Sequence, residues 1–307
     1  MNTVLQECVN GLVLGSIYAL IALGYSMVYG VVGLINFAHG EVVMMGALSC
    51  ISALGLLLGL HVGVPLALFG ATVFSVVVCM ALGWSIDRIA YKPLRRAPRL
   101  APLISAMGVS MVLQNVGMMI WGRGYTLFPR IFPDHPLLFW GARLTLVQLA
   151  ILLICVLLMV LMLSVVTRTS LGRAMRAVAQ NPDAARLMGV SVDGVISLTF
   201  LLGSALASIA GIMVSANYGQ GYAYMGFLLG LKAFSAAVLG GIGNLAGAVL
   251  GGLVLGMVES FGAAYLGPLT GGFLGSQYED VFSFVLLILV LTLRPSGLLG
   301  SVEGERA

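Results

Sequence analysis

Charge is what this chain has least of. Asp, Glu, Lys and Arg make up 8% of its 307 residues, against about 25% in a soluble globular domain. No polar block of domain length interrupts the rest, so the sequence predicts one integral membrane domain spanning residues 1–307 and no soluble one. Lysine is nearly missing: Lys92 and Lys232 are the only two. Neither stands in a GxxxxGK[ST] loop, which excludes ATP binding through a P-loop. The three histidines, His39, His61 and His135, make no HExxH pair, and there is no GxSxG elbow, so neither a zinc protease nor a serine hydrolase is expected. The four cysteines, Cys8, Cys50, Cys79 and Cys155, are too dispersed for a metal site or a disulfide framework and read as small buried hydrophobes. The opening MNTVLQECVNG has no basic region or cleavage site and reads as mature chain rather than a signal peptide. No metal and no cofactor are predicted.

What is present is apolar sequence, 60% of the chain, in runs long enough to cross a bilayer core with about 20 residues each. The 41 glycines suit close helix packing in lipid. The formal charge of +4 comes from clustered loop arginines, which report topology rather than nucleic-acid binding. The predicted fold is an all-α, polytopic membrane helix bundle of about 8–10 transmembrane helices. Crossings are expected near 9–29, 33–60, 64–86, 101–121, 144–166, 195–216 and 281–293, with 228–266 split into two near Gly240–Asn244. Asp87–Leu100, holding Arg88, Lys92, Arg95, Arg96 and Arg99, reads as cytoplasmic. Gly122–Ala142, with Pro129, Pro133, Pro136 and Trp140, reads as an outer loop. Counting crossings puts the N-terminus outside, unless Gly33–Leu60 holds a broken or re-entrant helix, which reverses it. GLINFAHGEVVMMGA and GGIGNLAGAVLGGLV are both Gly/Asn-interrupted, a pattern expected of inverted repeats.

Ionisable groups inside a membrane default to a functional hypothesis. Asn36, His39 and Glu41, at the start of the second apolar element, are candidates for lining or gating a transport route, or for a structural hydrogen-bond network. Lys232 is expected to snorkel to the interface. Glu259 and Asp280 fall near predicted outer ends and are assigned no role.

The stretch that stands out is Thr167–Val190, TRTSLGRAMRAVAQNPDAARLMGV. It is polar and carries Arg168, Arg173, Arg176 and Arg186 against one acid, Asp183. Asn181 is a good helix N-cap, Pro182 suits the first helical position, and Asp183 complements the helix N-terminus. Gly189 sits where a left-handed residue ends a helix. The result is a short cytoplasmic rod of roughly 10 Å. It reads either as a docking element for a motor protein, with Ala184 and Ala185 forming a small-residue face, or as a solvated loop obeying the positive-inside rule.

Asn10–Leu48, NGLVLGSIYALIALGYSMVYGVVGLINFAHGEVVMMGAL, resembles the opening of permeases of branched-chain amino-acid ABC importers. Gly172–Val190, GRAMRAVAQNPDAARLMGV, resembles that family's cytoplasmic coupling segment, and Leu293–Gly300, LRPSGLLG, its C-terminal ending. The resemblance implies a multi-pass subunit of the bacterial inner membrane, surrounded by lipid. Its implied partners are a second homologous permease, two cytoplasmic ATP-binding subunits and a periplasmic substrate-binding protein that delivers leucine, isoleucine or valine. The permease itself would be no enzyme. The coupling role carries over onto Gly172, Arg173, Arg176, Asn181, Pro182, Ala184, Ala185 and Gly189, while Asn36, His39 and Gly40 belong to the family's NFAHG run. Related permeases move urea or short amides. From another class, an ion-coupled secondary transporter would keep its energy conversion within this chain, at His39 and Glu41, and a passive channel would not run uphill.

Overall fold

In the computed structural model, residues 2–95, 97–98, 100–132, 137–139, 141–271 and 278–300 are described. Arg96, Arg99, Pro133, His135, Pro136 and Trp140 lie outside them. Among the described residues nine apolar helices follow the predicted order: α1 (Asn2–Val32), α2 (His39–Gly59), α3 (Val64–Ile86), α4 (Leu100–Trp121), α5 (Leu146–Arg168), α8 (Val192–Tyr218), α9 (Met225–Gly240), α10 (Leu245–Leu269) and α11 (Glu279–Leu293). Between α5 and α8 lie the shorter α6 (Ser170–Gln180) and α7 (Pro182–Leu187). Seven of the nine are long and apolar enough to cross a membrane; α9 and α11 are shorter apolar helices. Strands β1 (Thr126–Leu127) and β4 (Gln220–Gly221) form one small antiparallel pair, and β2 (Leu137–Phe139) and β3 (Ala142–Leu144) another.

Two boundaries depart from expectation. α1 starts at Asn2 rather than Val9, because polar contacts extend it. The Ser260 hydroxyl donates to Glu7 at 2.8 Å, and Gln6 accepts from the Arg143 backbone N–H at 2.7 Å. α2 starts at His39 rather than Gly33 and then runs without a break to Gly59, so the Gly33–Leu60 element is one crossing helix, as its main reading has it, and not the broken or re-entrant alternative. The predicted division at Gly240–Asn244 is present, with Gly241 and Gly243 both at positive φ (105° and 88°). Asn244 then caps α10 by accepting from the Gly247 N–H at 3.1 Å.

Cα packing divides the chain into two compact units. The first comprises Met1–Ser26, Asp134–Met159 and Lys232–Ala307. The pentapeptide GLVLG occurs twice in it, at 11–15 and 252–256, and the fold sets the two copies against each other. A Cβ at Gly15 would stand 2.8 Å from the Leu253 Cα, and one at Gly256 would fall on the Gly15 backbone. Such backbone-to-backbone approach requires glycine on both helices and gains dispersion energy where lipid offers no hydrophobic drive. The end of α9 leaves orphan carbonyls. Leu239 and Gly240 accept from the N–H groups of Leu298 and Leu299 at 2.8 and 2.9 Å. The LRPSGLLG segment therefore closes a helix terminus.

The second unit comprises Met27–Pro133 and Val160–Leu231. Its centre is α2, α3 and α8, joined through small residues. A Cβ on Gly46 would lie 2.6 Å from the Ser208 Cα. The Ser75 hydroxyl donates to the Gly46 carbonyl at 2.6 Å and lies 2.8 Å from Ser208 Oγ. Cys50 and Cys79 are buried here, and Cys155 is buried too, as small hydrophobes should be; Cys8 is only half-buried. By contrast α3 and α4 carry exposed apolar faces (Phe69, Val73, Phe74 and Val77 on α3; Ile104, Met111 and Ile120 on α4), the surface a lipid solvent accepts without cost.

Candidate functional site

The Arg-rich stretch folds as two helices meeting at Asn181. Thr169 caps α6, its side chain accepting from the Gly172 N–H at 3.2 Å. Gly172, Met175 and Val178 recur every third residue and are buried, while Arg173 and Arg176 are exposed. That three-residue spacing makes α6 amphipathic. Gly172 is required by close approach: a Cβ there would overlap the Val166 carbonyl at the end of α5. Arg176 reaches back to donate to that same carbonyl oxygen.

Asn181 is extended (φ −156°, ψ 104°), and its side-chain oxygen accepts from the N–H groups of Asp183 and Ala184, both at 3.0 Å. Pro182 takes the first helical position. At the other end Gly189 has φ +82°. Its N–H donates to the Arg186 carbonyl, and the Val190 N–H to that of Ala185, both at 3.0 Å. This paired pattern is a Schellman termination, so both expected caps are present. α7 itself is six residues, a rod of about 9 Å. Asp183 and Arg186 pair at 3.1 Å in the open, which adds little stability.

One part of the expectation changes. Ala184 is exposed, but Ala185 is 4% exposed and turned into its own chain. The two alanines do not share an outward face. The large apolar residues exposed at the end of α7 are Leu187 and its C-cap Met188, 89% and 84% exposed, which composition alone did not single out. Large apolar side chains rimmed by Arg186 and Asp183 on a rigid, doubly capped helix end are suited to a partner surface.

Asn36, His39 and Glu41 are all buried, at 4%, 1% and 1%, and the fold gathers them at the start of α2. Asn36 accepts from the Ala38 N–H at 3.1 Å and lies 3.3 Å from the Tyr91 hydroxyl, so it shapes the loop that turns α1 into α2. Glu41 accepts from the Ser110 hydroxyl of α4 at 3.3 Å. Its second oxygen has no hydrogen-bond partner among the described residues. It points toward Gly226, where a Cβ would come within 2.6 Å. Gly40 backs onto the same turn: a Cβ on it would lie 2.9 Å from the Gly230 Cα.

Sequence reasoning missed a second charged centre. Lys232 does not snorkel; it is 6% exposed. Its Nζ lies 2.7 Å from Glu259 Oε1 and 2.6 Å from Asp280 Oδ1. Tyr18 donates to Glu259 Oε1 at 2.9 Å, Ser283 donates to Glu259 Oε2 at 3.2 Å, and the Lys232 ammonium stands 5.8 Å from the Tyr18 ring centre. Four helices of the first unit (α1, α9, α10 and α11) therefore converge on one ammonium. A lysine pulled from water must find counter-charge, because an unpaired buried ion is far costlier than a paired one. The available signal was Lys232, Glu259 and Asp280, ionisable residues on three separate apolar helices, each of which needed a partner.

Comparison with known proteins places this geometry in context. A protein-family model described as "Branched-chain amino acid transport system / permease component" matches residues 8–291. The chain is 45% identical to the high-affinity branched-chain amino acid transport system permease protein BraD of Pseudomonas aeruginosa, over 98% of this chain and 97% of that protein. It is 43% identical to the corresponding permease protein LivH of Escherichia coli K12, with the same coverage. Identity to LivH of Salmonella typhimurium is 41%, again over 98% and 97%.

Proposed function

The chain belongs to the branched-chain amino-acid transport permease family, and from that premise we propose that it is the membrane permease of an ATP-driven importer for leucine, isoleucine and valine. It is a multi-pass membrane protein, and a bacterial inner membrane is the compartment that fits this role. The observation that carries the energy-coupling part is α7. It is a six-residue helix capped at both ends, with Leu187 and Met188 exposed, in a chain whose two lysines make no P-loop. An ATP-driven transporter without its own nucleotide site must borrow one.

In this reading two cytoplasmic ATP-binding subunits dock on α6 and α7, with Gly172, Arg173, Arg176, Asn181, Pro182, Ala184, Ala185 and Gly189 building the coupling surface or holding its shape. A second homologous permease completes the pathway, and a periplasmic binding protein delivers substrate. Residues 1–307 act as a single permease domain. Asn36, His39 and Glu41 border or brace the route, where one buried carboxylate oxygen and adjacent glycine backbone offer polar groups to a zwitterion amid apolar walls.

The test is purification of the chain in mild detergent with its co-expressed partners, followed by reconstitution. ATP hydrolysis in the eluate and uptake of radiolabelled leucine that stops on ATP depletion support the reading. Uptake that instead collapses with an ionophore would move energy conversion into this chain, with the Lys232 cluster as its first suspect. Uptake of urea in place of leucine would overturn the substrate.

A further inference from the structure

α3 does not end at a cap. It passes from Ile86 straight into a π-helical turn, Asp87–Tyr91, and then a 3₁₀ turn, Lys92–Leu94. π-turns displace the side chains that follow them and often mark functional sites. This one turns Asp87, Ala90 and Tyr91 inward. Asp87 is fully buried and Tyr91 likewise.

Asp87 is held from two directions. Arg95 donates to its Oδ1 at 2.6 Å, and Ser197 of α8 donates to its Oδ2. The same guanidinium spans to a second carboxylate, Asp193 Oδ1, also at 2.6 Å, and Lys92 reaches Asp193 Oδ2 at 2.9 Å. Two cations and two anions thus close into a neutral clasp. The basic loop read from sequence as a topology signal has two of its positive charges committed to this clasp.

Asp193 stands in the first turn of α8, whose N-cap Ser191 follows the Gly189 turn that ends α7. Tyr91, at the far side of the π-turn, lies against Phe200 of α8 with ring centres 5.2 Å apart. Its hydroxyl lies 3.1 Å from the Ile35 carbonyl and 3.3 Å from Asn36 Oδ1. Within the second unit a path therefore runs along the backbone from the end of α7 to Asp193, through the ion pairs of Arg95 to Asp87, along the π-turn to Tyr91, and through its hydroxyl to the Asn36 loop that opens α2.

We propose that this clasp is the transmission joint of the permease: Asp193, Arg95, Asp87 and Tyr91 are positioning residues that carry displacement of α7 to the Asn36–Glu41 start of α2. The proposal rests on α7 being the ATPase-coupling helix. Without the clasp a push on α7 reaches α6 and α8, and α2 and α3 only through their small-residue packing on α8. With it, the cytoplasmic ends of α3 and α8 move together, and the Tyr91 hydroxyl moves the loop bearing Asn36. Contiguity alone does not establish coupling, so the test reads coupling directly.

The full complex with its ATP-binding subunits is reconstituted in liposomes, and leucine uptake and ATP hydrolysis are measured on the same preparation. Asp193→Asn and Tyr91→Phe each lower leucine moved per ATP about fivefold or more, while the ATP-binding subunits still co-purify. Tyr91→Phe keeps the ring against Phe200 and removes only the hydroxyl, so it tests transmission without unmaking the fold. Asp193→Glu, which keeps the charge, restores most of the ratio. The double variant Asp193→Asn/Tyr91→Phe loses no more than the worse single change, as two links of one chain should. A wild-type ratio in both single variants, or losses that add in the double, would overturn the joint. Wild-type chain that recruits no ATPase would remove the coupling reading itself, and the joint with it.

Discussion

Lys232→Met removes the ammonium at the centre of the first unit while keeping side-chain length and apolar bulk. Glu259 then keeps its Tyr18 and Ser283 donors but loses its cation, with its side chain 2% exposed. Breaking a buried ion pair on one side costs about 3–5 kcal/mol. Asp280 is 39% exposed, so water screens it and its loss adds at most about 1 kcal/mol. The total falls mainly on Glu259. Taking about 2 °C per kcal/mol, the low end for larger chains, the apparent Tm should drop by about 6–10 °C. The assay is fluorescence-detected size-exclusion after heating in mild detergent, at one fixed heating protocol because membrane-protein unfolding is irreversible. Lys232→Met/Glu259→Gln should recover most of the loss, since a neutral amide leaves no orphan charge and still accepts from Tyr18. A Lys232→Met protein melting within about 1 °C of wild type would refute the reasoning. So would a double variant no better than the single.

Three further outcomes follow from the same geometry. Gly256→Leu drives a side chain into the Gly15 backbone, so the protein should fall out of the membrane fraction or aggregate in detergent, whereas Leu255→Met, a volume-conserving change, should cost under about 1.5 kcal/mol. Asn181→Ala with Gly189→Ala strips both caps of α7, about 1 kcal/mol for the N-cap and about 1–2 kcal/mol for the left-handed residue. Leucine uptake should fall severalfold while the amount of inserted protein stays constant, and normal uptake would sink the coupling assignment. Glu41→Gln keeps the hydrogen bond from Ser110 and should retain most transport if the residue only braces α2. A loss of uptake comparable to that of Glu41→Leu would mean the carboxylate itself serves the route, and transport assays on the two variants separate these cases.

Much of this protein was legible along the chain. A bilayer-crossing helix must satisfy its own backbone and present apolar side chains for about 20 residues, so α1 to α5 and α8 to α11 were visible as runs of hydropathy. Helix caps are equally local. Asn181, Pro182 and Gly189 act within one turn of where they stand, and each was found doing what its chemistry allows. Tertiary structure decided what runs between distant residues. The two GLVLG copies are ordinary apolar sequence until the fold sets Gly15 against Leu253. Lys232 alone reads as a snorkelling lysine, and only the meeting of α1, α9, α10 and α11 supplies Glu259 and Asp280. Ala184 and Ala185 are alike in sequence, yet one faces outward and the other inward, because α7 has a docked side that its six residues cannot announce. Local propensity and solvent determine which segments are helices; partners tens to hundreds of residues away determine which face of each helix is buried and which charges are paired.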